Sequence, residues 1–271
     1  MPGQASDMTN QSPMGRWTLR IVTLVTIVTI GVGADTGDIG CLEANDRHGP
    51  ATTALTSPIP AIFNDRAALL QRTLGIGRAV PISDTTNAGI GRAVAPCEHS
   101  GSGESSARIE TDTAALLAAN SRSPMTVDLV LAHELSHVLQ FSSDAEFQRK
   151  LCAGTLGDVK IYELLADFGA GYALYKVGRR NAQLDFTNAV AELADYHLHS
   201  PFHHGMTTER INAFNMGQAS AFFGREIRMD ALMRNKEVFL KLLDGENERQ
   251  LKAAPTNYVD FARHALDEVY Q

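Results

Sequence analysis

From Ser123 onward, apolar side chains recur at intervals of three and four residues, the spacing of helices that bury one face. Val127, Leu129, Val130, Leu131, Leu135, Val138 and Leu139 fall in one such stretch and predict a largely buried helix over 124–141. Ser123 and Pro124 supply its start signal, a side chain that can cap free amides followed by a ring tolerated in the first turn. A short helix is expected over 144–152, longer ones over 159–178 and 181–198, then a loop at 200–208 and helices over 208–222, 226–243 and 256–270. Upstream the pattern is weaker. Ala67, Leu70 and Leu74 give helical spacing within 64–74. The string GIGRAV at 75–80 and again at 89–94 reads as loops and short strands, since two copies do not make a stacked repeat. Residues 98–106 (EHSGSGESS) form a polar loop, and 107–118 opens with strand-like alternation and ends in an apolar run. The expected fold class is therefore α+β: a small N-terminal sheet packed on the 124–141 helix, followed by a mainly helical C-terminal part.

Three segments follow from composition. Residues 21–34 are apolar and uncharged, preceded by Arg16 and Arg20 and ending in Val32-Gly33-Ala34. The run suits a signal-peptide core and falls short of the roughly 20 residues of a membrane span. Residues 1–34 are thus expected to be a signal peptide or an N-terminal anchor, with membrane association through 17–34 if uncut and an extracytoplasmic location in either case. Residues 35–60, rich in Thr, Pro, Ala and Gly, read as a flexible spacer. Residues 61–271 are the expected folded domain. Export would allow disulfides, and Cys97–Cys152 is the expected pair, leaving Cys41. The formal net charge of −7 with no Lys/Arg cluster argues against a nucleic-acid partner.

The candidate chemistry lies in His133-Glu134-Leu135-Ser136-His137. Two histidines four apart share a helix face and can reach one ion, while the glutamate beside the first flanks the metal as a base. On a helix this apolar, three such side chains need a partner, and a metal is the economical one. A third ligand must come from elsewhere. Glu163 and Asp167, four apart on the second strongly apolar helix, are the best candidates, Glu163 as ligand and Asp167 as acceptor for the outer nitrogen of His133. Two solvated carboxylates on an amphipathic helix is the plainer alternative, and one of His197, His199, His203 and His204 could replace Glu163. No CxxC pair offers a cysteine site, and no GxSxG elbow is present.

HELSHVLQ followed by ELLADFGAGYAL resembles the gluzincin arrangement of thermolysin-like enzymes, and more closely the bacterial neutral zinc metallopeptidases, whose second motif reads roughly E-x-x-A-D-x-x-A-G. The segment from His204-Gly205 through Glu209-Arg210 to Phe214 is similar to that family in order and spacing, and IETDTAALLA resembles the edge strand before the metal helix. The likeness covers roughly 85–220 and departs around 97–106. It implies zinc-dependent hydrolysis of a peptide or protein substrate, with zinc on His133, His137 and Glu163 and Glu134 as general base. From the residues themselves, His204 or Arg210, and more weakly Tyr162, could steady the oxyanion; the plainer alternative is that the 197–204 histidines sit on a surface loop and Arg210 is an ordinary helix charge. The peptide would add as a strand along Arg108–Thr113. The rival expectations are a non-catalytic zinc scaffold and an unrelated helical protein.

Overall fold

A computed structural model describes residues 42–43, 61–85, 88, 90–97, 106–193, 204–251 and 258–270 of the chain. In chain order the elements are β1 (Leu42–Glu43), α1 (Ala61–Thr73), β2 (Ile82–Asp84), β3 (Arg92–Val94), β4 (Arg108–Thr111), α2 (Thr113–Arg122), α3 (Thr126–Ser143), α4 (Ala145–Cys152), α5 (Lys160–Lys176), α6 (Ala182–Leu193), α7 (Thr207–Phe222), α8 (Met229–Arg234), α9 (Lys236–Leu251) and α10 (Tyr258–Val269). A small sheet followed by a mostly helical remainder is the α+β arrangement expected from the pattern.

The core is a helical stack centred on α5, which lies between α3 and α7. Its packing is set by small residues. A Cβ added at Gly171 would stand 2.0 Å from the Phe214 carbonyl oxygen, and one at Gly217 would stand 1.9 Å from that of Phe168. The backbones of α5 and α7 approach closely because those two positions carry no side chain. On the other face, Gly169 admits Ser136 of α3 in the same way. Phe168, Leu164, Leu165, Leu135 and Phe214 are wholly buried where the three helices meet.

The sheet has the order β1-β3-β4-β2. β3 and β4 are antiparallel, with Ala93 opposite Ile109, while β2 runs parallel to β4 and β1 parallel to β3. It packs on α3, chiefly through β3. This arrangement corrects the expected substrate strand. β4 carries Arg108–Thr111, but it is hydrogen-bonded on both sides and has no free edge to receive a peptide. Residues beyond it belong to α2, whose first turn is capped by the Asp112 carboxylate accepting from the Ala115 amide. The apolar end of 107–118 is therefore helix. Leu42 and Glu43, within the stretch read as spacer, form the outer strand beside β3.

Other boundaries shift for local reasons. Ser123 closes α2 by donating its amide to Ala119 O, so α3 begins at Thr126 rather than at Pro124. The single helix expected over 226–243 is two, because Asn235 caps α8 and sends its side-chain amide to Val269 O. Cys97 and Cys152 form the expected disulfide, tying the end of β3 to the end of α4. No helix among the described residues is long and apolar enough to cross a membrane. The 21–34 run, Cys41, His197, His199 and His203 lie outside the described residues.

Candidate metal centre

His133 and His137 sit one turn apart on α3 and face α5, where Glu163 and Asp167 repeat the same spacing. Both helices are apolar on nearly every side, so all four groups are buried; Glu163, Asp167 and His137 have no exposure at all. One ligand atom from each of His133, His137 and Glu163 lies within 4.8 Å of the others, the one such cluster among the described residues. His204 is not in it.

The outer nitrogens fix how the rings present themselves. His133 Nδ1 lies 2.9 Å from Asp167 Oδ1. Asp167 in turn accepts from Arg210 Nε at 2.7 Å and from Arg210 Nη2 at 2.9 Å. Burial alone would push the Asp167 carboxyl up, but Arg210 and His133 outweigh it and hold it below its usual range. It therefore accepts, and His133 Nδ1 carries the hydrogen. His137 Nδ1 lies 3.0 Å from Gln140 Oε1, and Gln140 Nε2 donates to Tyr162 O at 2.8 Å. That second bond fixes the amide with its oxygen toward the ring, so His137 Nδ1 is also the protonated nitrogen.

Both Nε2 atoms are left as lone-pair donors, and they face each other at 3.1 Å. Glu163 Oε2 stands 3.2 Å from His133 Nε2, and Glu163 Oε1 is 3.4 Å from His137 Nε2 without a hydrogen-bond partner. Two neutral imidazoles and a carboxylate aimed at one buried point repel unless a positive charge sits among them. A proton can quiet one pair of lone pairs; a divalent cation satisfies all three donors. Burial by itself would raise Glu163; the charge of a protonated His137 and hydrogen bonds from both rings outweigh it and hold the carboxyl well below its ordinary value, and a divalent cation among the three donors would favour the ionised carboxylate in the same way. An ionised carboxylate with two neutral histidines is the donor set of a zinc site with an open fourth position. The residues present fit the ion.

Glu134 lies beside this point on α3, 2% exposed. Its Oε2 is buried and has no hydrogen-bond partner. Burial pushes its carboxyl up, with His133 and His137 pulling partly back and a backbone hydrogen bond from Ala93 also opposing. A carboxyl so placed is suited to hold and release a proton.

Three further positions come out differently. Arg210 is buried and gives Nε and Nη2 to Asp167, so it positions His133 through that carboxylate. Tyr162 stacks on Phe147 at 4.1 Å, and its hydroxyl oxygen accepts from Lys236 Nζ at 3.4 Å. His204 is half-buried at the entry to α7 and near enough to act electrostatically on Glu163, so it keeps its place beside the site. Gln140 was missed. The signal was there: a glutamine three residues after His137, on the same face of an apolar helix, is a polar group that burial obliges to find a partner.

No protein-family model, curated protein sequence or solved structure matches the chain.

Proposed function

We propose that this protein is a zinc-dependent metallopeptidase. His133, His137 and Glu163 would hold the ion. A zinc ion there supplies Lewis acidity, lowering the pKa of a water and polarising a substrate carbonyl. Glu134 takes the proton released as water attacks the carbonyl carbon and returns it to the leaving amine nitrogen. Asp167, steadied by Arg210, and Gln140, steadied by the Tyr162 carbonyl, hold the two imidazoles in the tautomer that binds metal. His204 would stabilise the negative charge that develops on the carbonyl oxygen.

The observation that carries this reading is the unpartnered oxygen of Glu134 beside three converging lone-pair donors. A metal held for structure alone has no use for a buried carboxylate next to its ligands. The resemblance of HELSHVLQ and ELLADFGAGYAL to gluzincins points the same way. The test is metal content by mass spectrometry together with hydrolysis of an unstructured peptide. Wild type is expected to carry one zinc per chain, and Glu163→Ala to lose it. Glu134→Gln is expected to keep zinc and lose hydrolysis; hydrolysis retained in that variant would remove the base assignment. Zinc retained in both variants with no hydrolysis in wild type would leave a scaffold.

A further inference from the structure

The site does not border an open sheet edge. The chain enters β3 directly past Glu134: a Cβ at Gly91, the residue before the strand, would lie 3.3 Å from Glu134 Cγ and 2.5 Å from Val130 Cγ1. One side of β3 is taken by β4. The other is taken by β1, with Leu42 opposite Ala93 and Glu43 opposite Val94. The strand nearest the candidate base is therefore covered by a piece of the chain that precedes α1.

We infer that β1 is an autoinhibitory strand, occupying the edge of β3 on which an extended peptide must lie to reach Glu134. The inference rests on the peptidase reading for its meaning as inhibition. Strand edges present a row of amides and carbonyls that any extended chain can pair with, and strand addition is a standard mode of peptide capture. β4, the strand first expected in that role, is interior, so the side of β3 that β1 covers is the remaining candidate next to Glu134. A two-residue parallel pairing is weak by itself, since such ladders are short and parallel bonds are slanted. Belonging to the same chain, it pairs intramolecularly, which favours it over a free peptide that forms the same bonds. The device is thus a competitor that a long peptide can displace and that removal of its pairing relieves.

The test uses the full chain in the Glu134→Gln background, so that bound peptide is not cut. Two variants weaken the strand, Leu42→Pro with Glu43→Pro, and Leu42→Gly with Glu43→Gly. Binding of fluorescein-labelled oxidised insulin B chain is read by anisotropy, and backbone amide exchange is followed at residues 92–94 and across α3 and α5. The expected result is a gain in peptide affinity of about tenfold or more in the proline variant, a smaller gain in the glycine variant, and faster exchange on β3 that the peptide reverses. Unchanged exchange on β3 would show that β1 does not cover the edge. Faster exchange on β3 with unchanged peptide affinity would show that the covered edge is not the peptide's. Loss of protection across α3 and α5 in both variants would make β1 a structural strand, which also overturns the inference. Neither readout needs hydrolysis or bound zinc, so failure of the peptidase reading registers in the metal and hydrolysis assays and failure of this one registers here.

Discussion

The two histidines of the site are held by unlike means. Asp167 carries a full charge and is itself pinned by Arg210, whereas Gln140 is a neutral amide pinned by a backbone carbonyl. Asp167→Asn and Gln140→Leu should each lower zinc affinity by about 10- to 100-fold, the usual effect of removing an outer partner of a metal-binding imidazole. Competition with a fluorescent chelator measures this directly, and Asp167→Asn should cost more because it also leaves Arg210 buried without its anion. A third carboxylate shapes the sheet. Glu110 accepts from Arg92 at 2.8 Å and from Arg108 at 2.9 Å. Burial pushes it up, but the two arginines together pull it below its ordinary value of 4.5. A folded-state value below the unfolded one adds stability that is complete above that ordinary value and drains away as pH falls through the lower folded value. Glu110→Gln should therefore destabilise the protein by about 1–3 kcal/mol at neutral pH. Its stability should also fall less steeply than wild type as the pH drops below 4.5, as urea midpoints across that range would show.

At the scale of elements, the long helices were legible and the pairing of the strands was not, and the difference is length. α3 and α5 carry eighteen and seventeen residues of apolar periodicity, enough to fix the face on which His133, His137, Glu163 and Asp167 fall. The strands have two to four residues, too few for alternation to repeat. Whether a strand lies at an edge depends on partners far along the chain, which is why Arg108–Thr111 was mistaken for an open strand. The pairing of Arg210 with Asp167 was hidden for a similar reason: the two lie 43 residues apart, and nothing near Arg210 in sequence names Asp167. The glycines were also silent in sequence but matter to packing. Gly217→Ala places a methyl group on the Phe168 carbonyl, so α5 and α7 must separate. The expected cost is about 1–3 kcal/mol or more in chemical denaturation. Because α7 carries Arg210, the same change should weaken zinc binding, whereas an alanine at exposed Gly224 should leave zinc affinity unchanged.

For the whole molecule, the disulfide is the largest single constraint outside the core. It closes a loop with a sequence separation of 55 residues, which in the chain-entropy view corresponds to about 4 kcal/mol. Replacing Cys97 and Cys152 by alanine together should lower stability by about 2–5 kcal/mol, read from denaturation midpoints with and without reductant. The effect should concentrate at the end of β3, where Gln148 Nε2 also donates to Pro96 O at 2.6 Å.

The same bond sets an order of events as the chain is made. Cys97 and Cys152 enclose β4 and the whole of α3, so Glu134 and both histidines lie inside a ring that can be sealed as soon as Cys152 has emerged. Glu163, Asp167 and Arg210 all lie outside that ring and arrive later. A nascent chain can therefore complete its covalent brace while the ion-holding pocket is still a pair of histidines. On the zinc reading, capture of the ion would then accompany the docking of α5, so the non-covalent half of the site would be completed after its covalent brace.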